Sequence, residues 1–210
     1  DLHHKVYNNQ EFLSVMKQNK NWYEKYRWFF TSSGKLVIGG KSAEQNEEVV
    51  KNHISRIDLV MHTAQPGSPF SIIKTEKRET EDADLNETVI FTASFSRAWR
   101  QGKKHAQIHI FKPEQIMKEK SQKQGTFLVL GRVQKATAEL KLVLTMQKDR
   151  LRAVPETAAE EVFCIIKPGK NSKEKAAETI SKILQKENLK FSREEILNAL
   201  PAGKFKIQEI

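Results

Sequence analysis

Two short apolar runs stand near the start of the chain, RWFFT at 27–31 and LVI at 36–38, with Ser32-Ser33-Gly34 between them. Aromatic and β-branched residues suit a half-buried pleated surface, and a hydroxyl pair followed by glycine supplies turn chemistry, so the pattern predicts a β-hairpin. Gly39-Gly40 then allows a sharp change of direction. The helix formers of 43–53 follow, with Ala43, Val49 and Val50 available to face a core. Residues 57–62 predict a strand, Pro66-Gly67 a turn and 70–73 another strand. The acidic stretch 76–84 reads as a loop whose last residue, Asp84, is placed to cap a helix. Leu85, Val89, Ala93 and Trp99 follow a spacing near four, so that helix is expected to carry Arg97 and Arg100 toward its end.

Alternation returns at 106–111, with Ile108 and Ile110 on one face and His109 and Phe111 on the other. KSQKQG at 120–125 reads as a basic surface loop, and 126–131, 139–144 and 150–154 as further strands. Past a turn at Pro155 the expected order is a strand at 162–166, a turn at Pro168-Gly169 and a helix at 173–186. Ser192-Arg193-Glu194-Glu195 is a capping box that opens a short helix stopping before Pro201. At the other end, Phe12, Val15 and Met16 stand at helical spacing before the polar KQNKN. The elements predict an α+β fold, mainly antiparallel sheet with flanking helices, followed by a small α/β extension. The expected organisation is a helix and linker over 1–21, a main domain over 22–134 and the extension over 135–210.

Of the 210 residues, 38% are hydrophobic and 30% charged, the balance of a folded chain with a strongly hydrated surface. The apolar runs are strand-sized, far below the ~20 residues of a membrane helix, so no membrane association is expected. The single cysteine, Cys164, excludes an internal disulfide, sits in an apolar run where a buried and inert thiol is expected, and fits a reducing cytoplasm. Charge adds more. Between Arg97 and Arg152 there are 14 basic and 4 acidic residues, which accounts for the whole net charge of +10. A concentrated excess attracts polyanions, and nucleic acid is the partner it indicates, with a merely solubilising surface as the open alternative.

Gly40-Lys41-Ser42 copies the end of a phosphate-binding P-loop, but the upstream glycine that loop requires is replaced by Lys35, which argues against nucleotide hydrolysis. Two readings stay open for it: binding of a single phosphate at a helix start, or a plain turn capped by Ser42. Asp58 and His62 lie four apart on the predicted strand, on one face at ~13 Å, too far to chelate one metal directly. The histidines show no zinc-ligand spacing, and neither Ser68 nor Ser96 has a triad partner, so neither metal, cofactor nor catalysis is expected. SRAWRQGKKH remains. Arg97, Arg100, Lys103 and Lys104 suit phosphate contact, and Gly102 permits close backbone approach. Trp99 either stacks a base or packs a core, and core is the preferred reading.

These elements also carry a resemblance. The aromatic strand ending in Thr31-Ser32, the turn at Gly34, GGKSAEQNE at 39–47, the D-x-x-x-H element of Asp58 and His62, Ser96-Arg97-Ala98-Trp99, FKPEQ at 111–115 and Gly125-Thr126-Phe127 together resemble the NFACT-R domain. That is the RNA-binding module of ribosome-associated quality control factors, and the LPAGKFKI ending is similar to archaeal members. The resemblance implies rRNA, tRNA and the large ribosomal subunit as partners, in the cytoplasm and with no enzymatic activity. It implies Lys41, Arg97, Arg100, Lys103, Lys104 and Arg132 as RNA contacts, and Gly39, Gly40, Asn46, Asp58, His62, Gly67 and Trp99 as motif positions that shape or line the site. The family usually has an aromatic between the Asp and the His, where Val60 stands here, so no stacking is expected from that position. A coiled coil precedes the domain in the family, and two readings stay open for 1–21: the remnant of one, or an ordinary N-terminal helix packed on the domain. Tail elongation in the family depends on an N-terminal domain outside this sequence, so this chain is expected to bind without elongating. Two alternatives belong to other classes: a free-standing module docking on protein or DNA and, weakest, a metal-dependent phosphoesterase using Asp58 and His62.

Overall fold

The computed structural model describes residues 21–76 and 79–210, so the helix expected within 1–21 lies outside the described residues. After a 3-10 turn at Trp22–Lys25, strands β1 (Arg27–Phe30) and β2 (Leu36–Gly39) form the predicted hairpin, with Trp28 opposite Ile38. Helix α1 (Ala43–Asn52) is capped by Ser42, whose hydroxyl accepts the Gln45 N–H at 3.2 Å. Val49 is buried and Val50 is partly buried against the core, as expected, whereas Ala43 is exposed and the buried polar residue of the helix is Asn46. Strands β3 (Leu59–Thr63), β4 (Ser71–Ile73) and β5 (His105–Phe111) follow, then a small ribbon of β6 (Ile116–Met117) and β7 (Leu128–Val129), then β8 (Gln134–Glu139). The larger sheet has the order β1-β2-β4-β3-β5-β8 with every neighbour antiparallel. Only two residues of the strand expected at 126–131 pair. The strand expected at 139–144 is the end of β8 and the start of the next strand, separated by Leu140 and Lys141.

Helix α2 (Asp82–Ser94) packs on one face of this sheet, with Phe91 4.6 Å from Phe29 between ring centres. Glu81, not Asp84, is its N-cap. Asp84 sits at the third helical position, where its carboxylate accepts the Glu81 N–H at 3.0 Å and the Ser33 hydroxyl at 2.6 Å, pinning the helix start to the β1-β2 turn. The predicted continuation to Trp99 breaks at Phe95 and Ser96. Ser96 donates its hydroxyl to the Ala93 carbonyl at 2.6 Å and accepts the Ala98 N–H at 3.1 Å, closing one helix and opening a separate turn, α3 (Arg97–Arg100). A serine that can satisfy the backbone locally competes with helix continuation.

The second sheet contains β9 (Leu142–Gln147), β10 (Arg150–Val154), β11 (Cys164–Asn171) and β12 (Phe205–Glu209) in the antiparallel order β10-β9-β11-β12. Helices α4 (Lys173–Lys186) and α5 (Arg193–Ala199) pack with it, the latter opened by the predicted capping box. Pro168-Gly169 is a bulge inside β11 and not a turn, since Pro168 and Asn171 both face Phe205. Pairing across the strand overrides the local turn preference.

One core runs through both sheets, joining Phe29, Phe91 and Trp99 to Leu142, Cys164, Ile180 and Phe205, and a second core with Trp28, Ile38, Val60 and Phe70 fills the opposite face of the larger sheet. Trp99 is 1% exposed, its indole N–H donates to the Lys204 carbonyl at 3.1 Å, and its ring lies 5.6 Å from Phe205. The fold is α+β, and Trp99 fastens α3 to the end of the second sheet.

Candidate nucleic-acid interface

A cleft of about 660 Å³ opens beside β3, where the start of α1, the turn after β3, the segment around α3 and the 124–127 loop meet. Glycine and asparagine assemble its rim. Asn46 reaches from α1 into the turn, accepting the Phe70 N–H at 3.0 Å and donating to the Ser68 carbonyl at 3.3 Å. A Cβ on Gly40 would come within 2.3 Å of the Asn46 side-chain oxygen, and one on Gly39 within 2.9 Å of Pro69, so these glycines exist for close approach. Gly67 has φ +104, and its carbonyl accepts the Arg97 N–H at 2.7 Å. On the far side, Gly125 donates to Glu47 at 2.8 Å, which lays the 124–127 loop against α1.

The walls are aromatic. His62 lies 4.5 Å from Phe70 between ring centres, and Phe127 lies 5.1 Å from the same ring. The His62 Nδ1 donates to the Thr63 carbonyl at 2.7 Å, which leaves Nε2 as the acceptor of the neutral ring. Burial pushes the His62 imidazole below its ordinary value; the Thr63 carbonyl opposes the shift and the neighbouring His109 adds to it. Asp58 is elsewhere. It precedes β3 instead of sharing a strand face with His62, and its buried carboxylate accepts from the Ser55 N–H at 2.8 Å, the Thr75 N–H at 3.0 Å and the Lys74 ammonium. A polar group buried this far must find hydrogen-bond partners, and through these three Asp58 braces the chain ahead of the strand.

Of the cations singled out in the sequence, Lys41, Arg97 and Arg100 line the cleft, while Lys103 and Lys104 are exposed just beyond α3. Arg132 is exposed outside the cleft, and Trp99 is in the core. The basic segment 97–152 does not act as one face. Arg150 pairs with Glu24 at 3.0 Å and Lys118 with Glu47 at 3.2 Å, and Lys141 pairs with Glu156. Arg152 donates to the Trp28 carbonyl at 2.9 Å over the Trp28 ring, and burial pulls its guanidinium down to about 9. Arg97, Arg100, Lys103 and Lys104 form no ion pair among the described residues.

Sequence reasoning missed Arg27, His109 and Phe127, which also line the cleft. Arg27 carries no local signal, being one residue of an aromatic strand, whereas Phe127 lies inside a matched family motif. Among the described residues no group of three or more His, Cys, Asp or Glu is placed to hold a metal, and no helix is long and apolar enough to cross a membrane. Burial raises the Cys164 thiol to about 12.

An antiparallel sheet that presents a cation-rimmed, aromatic-walled cleft has the make-up of a module for nucleic acid. The family described as NFACT protein RNA binding domain matches residues 25–136, and the chain belongs to that family. The archaeal Rqc2 homolog aRqcH of Methanocaldococcus jannaschii is 30% identical over 207 residues, covering 93% of this chain and 30% of that protein. The ribosome quality control complex subunit NEMF of Homo sapiens is 33% identical over 92 residues, 43% of this chain and 9% of NEMF. The chain thus spans under a third of the length of these relatives. Among solved structures, the C-terminal part of the fibronectin/fibrinogen-binding protein from Streptococcus suis aligns with a TM-score of 0.48 and 18% identity, over 59% of this chain and 48% of that one.

Proposed function

We propose that this chain is the RNA-binding module of a cytoplasmic ribosome-associated quality control factor, and that it engages rRNA or tRNA at the large ribosomal subunit through the cations around its cleft. One observation carries the reading: Lys41 from the α1 turn and Arg97 and Arg100 from α3 converge on a single cleft, and Lys103 and Lys104 extend the basic rim outward. Cations on a rim of this kind neutralise phosphates and dock on the shape of a folded RNA, without reading paired sequence. The relatives carry ribosome quality control in their names, which supports the ribosome as the setting. The family match at 25–136 supports a main domain over 22–134, with 135–210 as an extension. Asp58, whose oxygens are taken up by Ser55, Lys74 and Thr75, has a bracing role that supports binding in place of catalysis.

A salt titration of binding to tRNA and to large-subunit rRNA fragments tests the reading, with a DNA duplex of equal length as the control. Affinity is expected to fall linearly on a double-logarithmic plot, with a slope of about 0.7 to 0.9 per phosphate neutralised, and RNA is expected to outcompete DNA. Salt-insensitive binding, no binding at low salt, or preference for DNA overturns it.

A further inference from the structure

Arg27 is the unexplained charge of the cleft. Its guanidinium lies 4.5 Å from the centre of the Phe95 ring, and it makes no hydrogen bond or ion pair among the described residues. Burial lowers its guanidinium to about 10, the mark of a cation stripped of water without a carboxylate in exchange. The nearby Arg152 is spent on the Trp28 carbonyl, but Arg27 shares the cleft lining with Arg97 and Arg100. Phe95, the ring beneath Arg27, is two residues before Arg97, whose backbone N–H is tied to Gly67, and all three arginines line the one cleft. The His62, Phe70 and Phe127 rings form a contiguous wall. The cleft volume of about 660 Å³ lies within the range of about 300–1,000 Å³ typical of small-molecule sites and is far too small to admit a duplex.

We propose that the cleft holds one unpaired nucleotide of a bound RNA, its phosphate on Arg27, Arg97 and Arg100 and its base against the wall made by His62 and Phe127. The proposal rests on the RNA-binding reading above and goes beyond it, since rim cations need only a phosphate backbone and this site needs a base out of the stack. Arg27, charged and unpaired, is suited to receive a phosphate, because the anion replaces the water that burial removed. Aromatic rings in the wall accept any base, and the neutral His62 adds one acceptor for a base N–H.

The test uses two RNAs, a fully paired duplex and the same duplex with one unpaired 2-aminopurine nucleotide at a 3′ end. The overhang is expected to raise affinity by about five- to a hundredfold, the contribution of one stacked base, and to change the fluorophore's emission on binding. In Arg27→Gln and Phe127→Leu, each checked for folding by melting, that advantage is expected to shrink toward onefold while binding of the paired duplex persists. Equal affinity for the two RNAs with unchanged emission overturns the nucleotide site and leaves the RNA-binding reading standing. A full overhang advantage in both variants also overturns it. Failure to bind either RNA overturns both.

Discussion

Arg97 donates its backbone N–H to the carbonyl of Gly67 at 2.7 Å, and a Cβ on Gly67 would fall 2.9 Å from the Arg97 side-chain Nε. One glycine therefore sets both the backbone and the side chain of the arginine that faces the cleft. At φ +104 the position also strains any residue with a side chain. Gly67→Ala is expected to cost about 1–3 kcal/mol and to weaken RNA binding several-fold by displacing Arg97. Thermal melting paired with fluorescence anisotropy checks it, and binding that stays at the parent level with a lowered melting point separates Arg97 from the interface.

Arg97, Arg100, Lys103 and Lys104 are exposed and without ion pairs among the described residues, so their removal touches the surface alone. The fourfold alanine variant is expected to melt near the parent, since exposed substitutions shift stability by about 0.5 kcal/mol or less each. Its salt slope is expected to drop by as many as about four, one for each phosphate that goes unneutralised. A parallel variant of Arg150, whose charge is already paired with Glu24, is expected to leave the slope unchanged. An unchanged slope in the fourfold variant would move the interface elsewhere.

What the sequence made legible was local. The β1-β2 hairpin, α1 with its Ser42 cap, α4, and the Ser192 capping box all rest on side chains satisfying neighbours three or four residues away, and each stands where it was expected. The misses are non-local. The helix break at Ser96 depends partly on the Gly67 carbonyl claiming the Arg97 N–H, across thirty residues of chain. Asp58 has the pattern of a strand residue because Ser55, Lys74 and Thr75 surround it only after β3 and β4 have paired. Pro168-Gly169 signals a turn, yet the backbone opposite, at Phe205, holds it in a strand. For the site, motif and charge point to Lys41, Arg97 and Arg100, while Arg27 reaches the cleft through packing that no spacing announces.

Trp99 offers a clean separation of core from surface. It is buried against Phe205 and donates to the Lys204 carbonyl, so Trp99→Ala is expected to destabilise the fold by about 3–5 kcal/mol. Trp99→Phe keeps much of the packing and leaves the Lys204 carbonyl without its indole donor, which predicts a smaller loss from the hydrogen bond of about 0.5–1.5 kcal/mol, added to whatever the ring change costs. Urea unfolding of both variants orders them, and RNA affinity measured well below their midpoints is expected to match the parent. Weakened affinity in a stably folded Trp99→Phe would place the indole at the RNA surface.

Acid dependence follows from the histidines. Burial is the main cause that lowers His53, His62 and His109 below the ordinary value of 6.5, so the unfolded chain takes up protons near that value while the folded chain still refuses them. Where the unfolded state binds more protons, stability rises with pH. The fold is therefore expected to be fully stable above about pH 7.5, to lose stability as pH falls through about 6.5, and to level off once the folded imidazoles accept their protons. His62→Gln retains an amide donor for the Thr63 carbonyl and removes one titrating ring, so it should flatten this slope without a comparable loss at neutral pH. Urea unfolding across that range checks the slope, and NMR titration of the His62 ring checks its midpoint. A midpoint above 6.5, or stability that climbs on acidification, would contradict a neutral His62 in the wall of the cleft.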